Sequence, residues 1–182
     1  PLCKTLEEIV EWRVDFLTRY QNAGLARRYR QLVERVRDAD TADDLALSKA
    51  VARYYFKLLA YKDEYEVARL YTSGEFERRV RQQFEGDFKL RFHLAPPTLS
   101  KKDAAGRGVK KAYGPWVFTA FRVLAKLKFL RGTALDVFGR THERRTERRL
   151  IEDYVRTVES LLPKLDAGNV DLAAQIASVP EH

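Results

Sequence analysis

DLALSKAVARYYFKLLAYKDEYEVARLY, residues 44–71, decides the fold class. Leu47, Val51, Tyr54, Tyr55, Leu58 and Leu59 recur at threes and fours, the spacing of one apolar helical face. Ala, Leu, Lys, Arg and Glu fill the rest, and all favour helix. The pattern predicts one long helix from Asp44 to about Tyr71, with Asp43 and Asp44 placed where a helix dipole favours acids.

Helical patterns extend on both sides. Thr5 with Glu8 forms a capping box ahead of Leu6, Ile9, Val10, Leu17 and Tyr20. Gly24 is expected to break that helix after Asn22, and a second helix covers Leu25 to Asp38. Ser73-Gly74 stops the central pattern, and Glu75 to Phe84 reads as a helix closed by Gly86. Pro115 suits a first helical turn before Val117, Ala120, Phe121, Leu124 and Leu127. Gly132 and Gly139 bracket a turn. Thr141 opens a helix with the core stripe Ile151, Tyr154, Val155, Val158, Leu161 and Leu162. Pro163 and Gly168 stop it, and Asn169 caps a last short helix through Ile176.

One interval breaks the period. Phe88, Leu90 and Phe92 alternate with Lys89, Arg91 and His93, which predicts an extended segment near 87–93. No local partner is evident, so it is expected to lie on the helices or to pair with a segment outside the chain. Pro96-Pro97 ends it, and residues 98–114 read as a long basic loop. The expected fold is mainly α: an irregular multi-helix bundle with one extended segment, forming a single accessory domain over 1–182.

Composition agrees with a folded core. Apolar residues make up 45% of the 182 and aromatics 12%, unlike a disordered tail. No apolar run approaches the roughly 20 residues of a membrane span, and no signal-peptide pattern follows Pro1. The absence of Met and the start at Pro1 lead to the expectation of a piece of a longer polypeptide. The lone Cys3 can form no internal disulfide and fits a reducing cytoplasm.

The net charge of +8 is unevenly spread. Residues 101–150 hold 14 basic and 4 acidic side chains, a net of +10, whereas 1–100 carry +2 and 151–182 carry −4. Lys101, Lys102, Arg107, Lys110 and Lys111 of the basic loop are the candidate anion or partner contacts, since Gly106 and Gly108 let backbone amides turn toward an anion. The glycine-to-lysine spacing of a P-loop is absent. Arg144, Arg145 and Arg148 belong to a run interleaved with Glu143 and Glu147, read as an interface or solvated face. Trp116 reads as a packing anchor. His93, at the end of the extended segment, is a structural or interface candidate. His93, His142 and His182 lack metal-ligand spacing, so no metal residue is assigned. Asp63, Glu64 and Glu66 are expected to pair with Arg69 or Lys62 rather than to act as an acid–base couple.

Three stretches carry a family resemblance: YYFKLLAYKDEYEVARLY at 54–71, FEGDFKLRFHLAPP at 84–97, and GPWVFTAFRVLAKLKFLRGTALDVFG at 114–139 with the ERRTERR run at 143–149. Together they resemble the C-terminal helical region of fused indolepyruvate:ferredoxin oxidoreductases, members of the 2-oxoacid:ferredoxin oxidoreductase family, from about Leu45 to the end. The resemblance implies a parent enzyme that oxidatively decarboxylates an aryl 2-oxoacid. Its cofactors would be thiamine diphosphate, Mg and an iron–sulfur cluster, with CoA as co-substrate and ferredoxin as acceptor. This chain has no Gly-Asp-Gly with a downstream Asn-Asn and no cysteine cluster. No catalytic or cofactor-binding residue of the family can therefore be carried over. The resulting expectation is a non-catalytic C-terminal domain, packed on other domains of the same polypeptide in a homo-oligomeric cytoplasmic enzyme, supporting assembly or CoA and ferredoxin docking. The alternative is a free-standing basic nucleic-acid-binding module, although no helix-turn-helix, zinc-finger or RNP pattern accompanies the charge.

Overall fold

The computed structural model of the chain describes residues 5–86, 90–94 and 111–181. The described residues form eight α-helices: α1 (Leu6–Tyr20), α2 (Ala23–Ala39), α3 (Ala46–Leu59), α4 (Glu64–Thr72), α5 (Glu75–Gln83), α6 (Trp116–Lys126), α7 (His142–Leu161) and α8 (Val170–Ala177). Two short strands, β1 (Phe92–Leu94) and β2 (Lys111–Tyr113), pair antiparallel. The fold is mainly α and multi-helical. No helix among the described residues is long and apolar enough to cross a membrane. The described residues divide into two compact units, one made of those up to Lys62 together with those from Phe129 on, the other of those within Asp63–Lys128.

In the first unit, local chemistry sets the helix starts. The Thr5 hydroxyl accepts from the Glu8 amide at 3.2 Å while the Glu8 carboxylate accepts from the Thr5 amide at 3.3 Å, so the capping box forms. Asn22 accepts from the Leu25 amide at 2.9 Å and starts α2 at Ala23. Gly24 therefore lies inside the first turn of α2 and does not separate the helices; the side-chain cap at Asn22 makes the junction. α3 begins later than the acids at 43–44 suggest. The Asp40 carboxylate accepts from both the amide (2.8 Å) and the hydroxyl (2.6 Å) of Ser48, fixing the incoming chain. Asn169 occupies the cap position of α8 without a capping bond; its amide group instead closes the preceding turn by donating to the Lys164 carbonyl at 2.7 Å.

The core of this unit joins α1, α2, α3, α7 and α8 through residues such as Leu17, Tyr29, Val33, Val51 and Val158. A ladder of tyrosines crosses it. Tyr55 of α3 stacks on Tyr29 of α2 at 5.9 Å and on Tyr154 of α7 at 6.1 Å. The outer two hydroxyls are tied to backbone: Tyr29 donates to the Ala52 carbonyl at 3.0 Å and Tyr154 to that of Ala177 at 2.9 Å. Burial pushes Tyr29 up to about 12, and raises Tyr154 further.

The stretch 44–71 is not one helix. α3 stops at Leu59, and Asp63 caps a new helix by accepting from the Glu66 amide at 2.8 Å. Leu58 and Tyr65 lie two helical turns apart in sequence, so the apolar period runs through the break without slipping phase and conceals it. The acids behave as the spacing predicts in one respect: Glu66 forms a two-pronged pair with Arg69 at 2.7 Å on each arm.

The second unit contains α4, α5, β1, β2 and α6. Its buried core is small: Ala68, Phe92, Val117 and Phe121. Tyr71 binds it together, stacked on Phe121 at 5.6 Å and edge-on to Phe92 at 5.3 Å. The expected extended segment is present as β1 but shifted to 92–94, with 87–89 outside the described residues. Its partner is within the chain, contrary to the reading from sequence. Phe92 pairs with Tyr113, His93 with Ala112 and Leu94 with Lys111. Residues 111–113 thus leave the predicted 98–114 loop and become β2. Three residues with one apolar anchor carry too little alternation to announce a strand.

Candidate functional site

The eight residues from Gly132 to Gly139, which the sequence marks only as a turn, form a tightly built polar feature of the first unit. Asp136 is buried, and its carboxylate accepts from the Gly132 amide at 2.8 Å and the Gly139 amide at 2.9 Å. Gly132 has φ +76°, a left-handed conformation that suits glycine. From α7, Arg148 donates to the Gly139 carbonyl and approaches the Asp136 carboxylate at 3.7 Å. A Cβ on Gly139 would stand 2.4 Å from Asp136 Oδ2 and 2.6 Å from Arg148 Nη1, so any side chain there would force the ion pair to shift. Just before the turn, buried Arg131 lies 3.8 Å over the Tyr20 ring and donates to the Tyr20 carbonyl at 2.9 Å. The turn is thereby pinned to both α1 and α7.

What this clamp presents is apolar. Leu135 is 70% exposed and Val137 61% exposed, on either side of the buried Asp136. Beside the clamp, Leu25, Leu59 and Ile151 line a cleft of about 320 Å³ together with Arg28, Arg131 and Arg148.

The residues singled out from sequence distribute unevenly. Lys101, Lys102, Arg107 and Lys110 lie outside the described residues. Lys111 and His93 are exposed on β2 and β1, one register step apart. Trp116, read as a packing anchor, is 63% exposed and, among the described residues, makes its ring contact with Tyr113, T-shaped at 6.0 Å. Arg144 is bound internally: it pairs with Glu147 at 2.6 Å and lies 5.2 Å over the Tyr61 ring. Arg145 donates to the Arg140 carbonyl at 2.9 Å. The ERRTERR run is thus partly structural, with Arg144 and Arg148 turned to the protein. Arg131 and Asp136 escaped the sequence reading. The available signal was a lone acid set four residues after one glycine and three before another, inside a strongly basic segment. Among the described residues, no group of three or more His, Cys, Asp and Glu side chains converges as a metal site requires.

Fold and site define a mainly helical chain in which a buried carboxylate and an arginine from α7 hold a surface turn. The chain belongs to DUF6537, a family of unknown function, whose model matches residues 6–182. No curated protein and no solved structure matches it.

Proposed function

We propose that this chain is a non-catalytic docking domain of a larger thiamine-diphosphate-dependent 2-oxoacid:ferredoxin oxidoreductase, and that the 132–139 turn packs against another domain of the same enzyme. The clamped turn carries this reading. Two large apolar side chains, Leu135 and Val137, are held outward by a buried carboxylate, two glycines and an arginine from α7. Holding apolar side chains in water on a rigid frame costs stability unless a partner covers them, and pre-ordering reduces the entropy lost when it does. The oxidoreductase assignment rests on the resemblance of the stretches 54–71, 84–97 and 114–139 and on nothing in the site's chemistry. The basic residues Lys101, Lys102, Arg107, Lys110 and Lys111 would supply a second contact, to CoA phosphates or to ferredoxin. The nucleic-acid alternative loses part of its footing because Arg144 and Arg148 are engaged inside the fold.

The test is Leu135→Asp with Val137→Asp in the complete parent enzyme, followed by sedimentation and turnover with a 2-oxoacid and ferredoxin. The expected result is impaired assembly with an unchanged melting profile of the 182-residue chain alone. Normal assembly and turnover in the double variant would overturn the docking role. A parent polypeptide without thiamine-binding and oxidoreductase domains would overturn the enzyme class.

A further inference from the structure

A second cleft in the first unit, sharing Arg28 with the cleft beside the turn, has at its wall a buried hydroxyl for which the described residues supply no acceptor. The cleft measures about 590 Å³ and is lined by Arg28, Leu32 and Arg35 of α2, Tyr55 of α3, and Val155 and Glu159 of α7. Arg28, Leu32 and Arg35 are four and three residues apart and so share one face of α2.

Tyr55 is the middle rung of the tyrosine ladder. Its neighbours Tyr29 and Tyr154 each donate to a backbone carbonyl, whereas the Tyr55 hydroxyl is buried and finds no acceptor among the described residues. Buried hydroxyls are ordinarily satisfied, so an orphan at the wall of a cleft points to an acceptor supplied from outside. Burial raises the phenol's pKa and the nearby Arg28 guanidinium partly offsets it, so at neutral pH the group is a protonated donor beside a positive charge.

The charges around it narrow the ligand. Arg35 is taken by Glu159 at 2.5 Å. Among the described residues no carboxylate pairs with Arg28, whose guanidinium lies beside the Tyr55 hydroxyl, so the two groups offer donors at the same wall of the cleft. Glu34 and Asp38 also line the cleft and repel a multiply charged anion. Leu32 and Val155 provide apolar wall. We propose that this cleft binds a small monocarboxylate with an apolar body, its carboxylate accepting from Tyr55 and Arg28. The volume lies in the range of small-molecule sites.

The experiment is a titration of the 182-residue chain with benzoate, followed by backbone amide NMR, with acetate and inorganic phosphate as comparison probes. Benzoate is expected to give saturable shifts in α2, α3 and α7 around the cleft, with weaker binding of acetate and of phosphate. Tyr55→Phe keeps the ring stack and removes only the hydroxyl. It and Arg28→Gln, a change at an exposed side chain, should each weaken benzoate roughly tenfold. Absence of saturable shifts, or affinity unchanged in both folded variants, would overturn the proposal. Phosphate binding more tightly than benzoate would overturn the ligand class.

Discussion

The Asp136 carboxylate and the Arg148 guanidinium face each other at 3.7 Å across Gly139, whose missing side chain gives them the space. Removing the carboxylate leaves the Gly132 and Gly139 amides without their acceptor and Arg148 without its anion. Asp136→Ala should cost about 3 kcal/mol, the range for charge-assisted buried hydrogen bonds. Equilibrium urea unfolding of the single variant against the parent chain measures this. A loss within about 0.5 kcal/mol, the scatter of surface substitutions, would show that the clamp is dispensable.

Gly139→Ala probes the same arrangement from the other side. The new methyl carbon would meet Asp136 Oδ2 at 2.4 Å and Arg148 Nη1 at 2.6 Å, and both groups are held by other bonds. The expected cost is about 1–3 kcal/mol from overpacking. Combined with Asp136→Ala the two losses should fall short of additive, because that change removes the Asp136 atoms the methyl would strike and leaves Arg148 Nη1 as the one remaining clash of the three.

Alkaline pH should destabilise the first unit. Tyr29 ionises near 10 when unfolded, but burial lifts it to about 12 in the folded chain, and Tyr154 is raised as well. The unfolded chain therefore releases protons first, and stability present below pH 10 declines as pH rises toward about 12. Denaturation midpoints between pH 8 and 11, compared with a Tyr29→Phe variant, give the check: the variant should show the shallower decline above about pH 10.

Phe121 stacks on Tyr71 and meets Phe92 edge-on, and it is one of only four buried residues in the described core of the second unit. Phe121→Ala should cost about 3–5 kcal/mol, concentrated in that unit. Hydrogen exchange should show α4 and α6 losing protection while α2 and α3 keep theirs. Uniform loss along the chain would mean that the two units unfold together.

Asp63→Ala should cost about 1–2 kcal/mol through loss of the α4 cap, since the Glu66 amide at 2.8 Å would lose its acceptor. Asp63→Asn or Asp63→Ser should recover most of that loss. Failure of both to rescue would assign the carboxylate a role other than capping.

Helices with one apolar face and a side-chain cap were legible from residues alone. Thr5 with Glu8, and Thr141 ahead of Ile151 and Tyr154, delivered α1 and α7 because cap and period act within a few residues of each other. The join between α3 and α4 was not legible, since Leu58 and Tyr65 keep the period across Asp63. β2 escaped because its reason for being a strand is Phe92, some twenty residues away in sequence.

The candidate site follows the same division. The glycines at 132 and 139 marked a turn, but nothing near them said that Arg148, nine residues beyond Gly139, would close it. The sequence determined a mainly α chain, the caps of α1 and α7 and the basic segment around the clamp, the caps and helical faces being set by neighbours three or four residues apart. Tertiary structure decided that Asp136 is buried, that a Cβ on Gly139 would crowd the ion pair, and that the Tyr55 hydroxyl, alone of three stacked tyrosines, finds no acceptor among the described residues. Those outcomes depend on which distant groups arrive at one place when the core closes, and hydrogen-bond satisfaction is fixed only then.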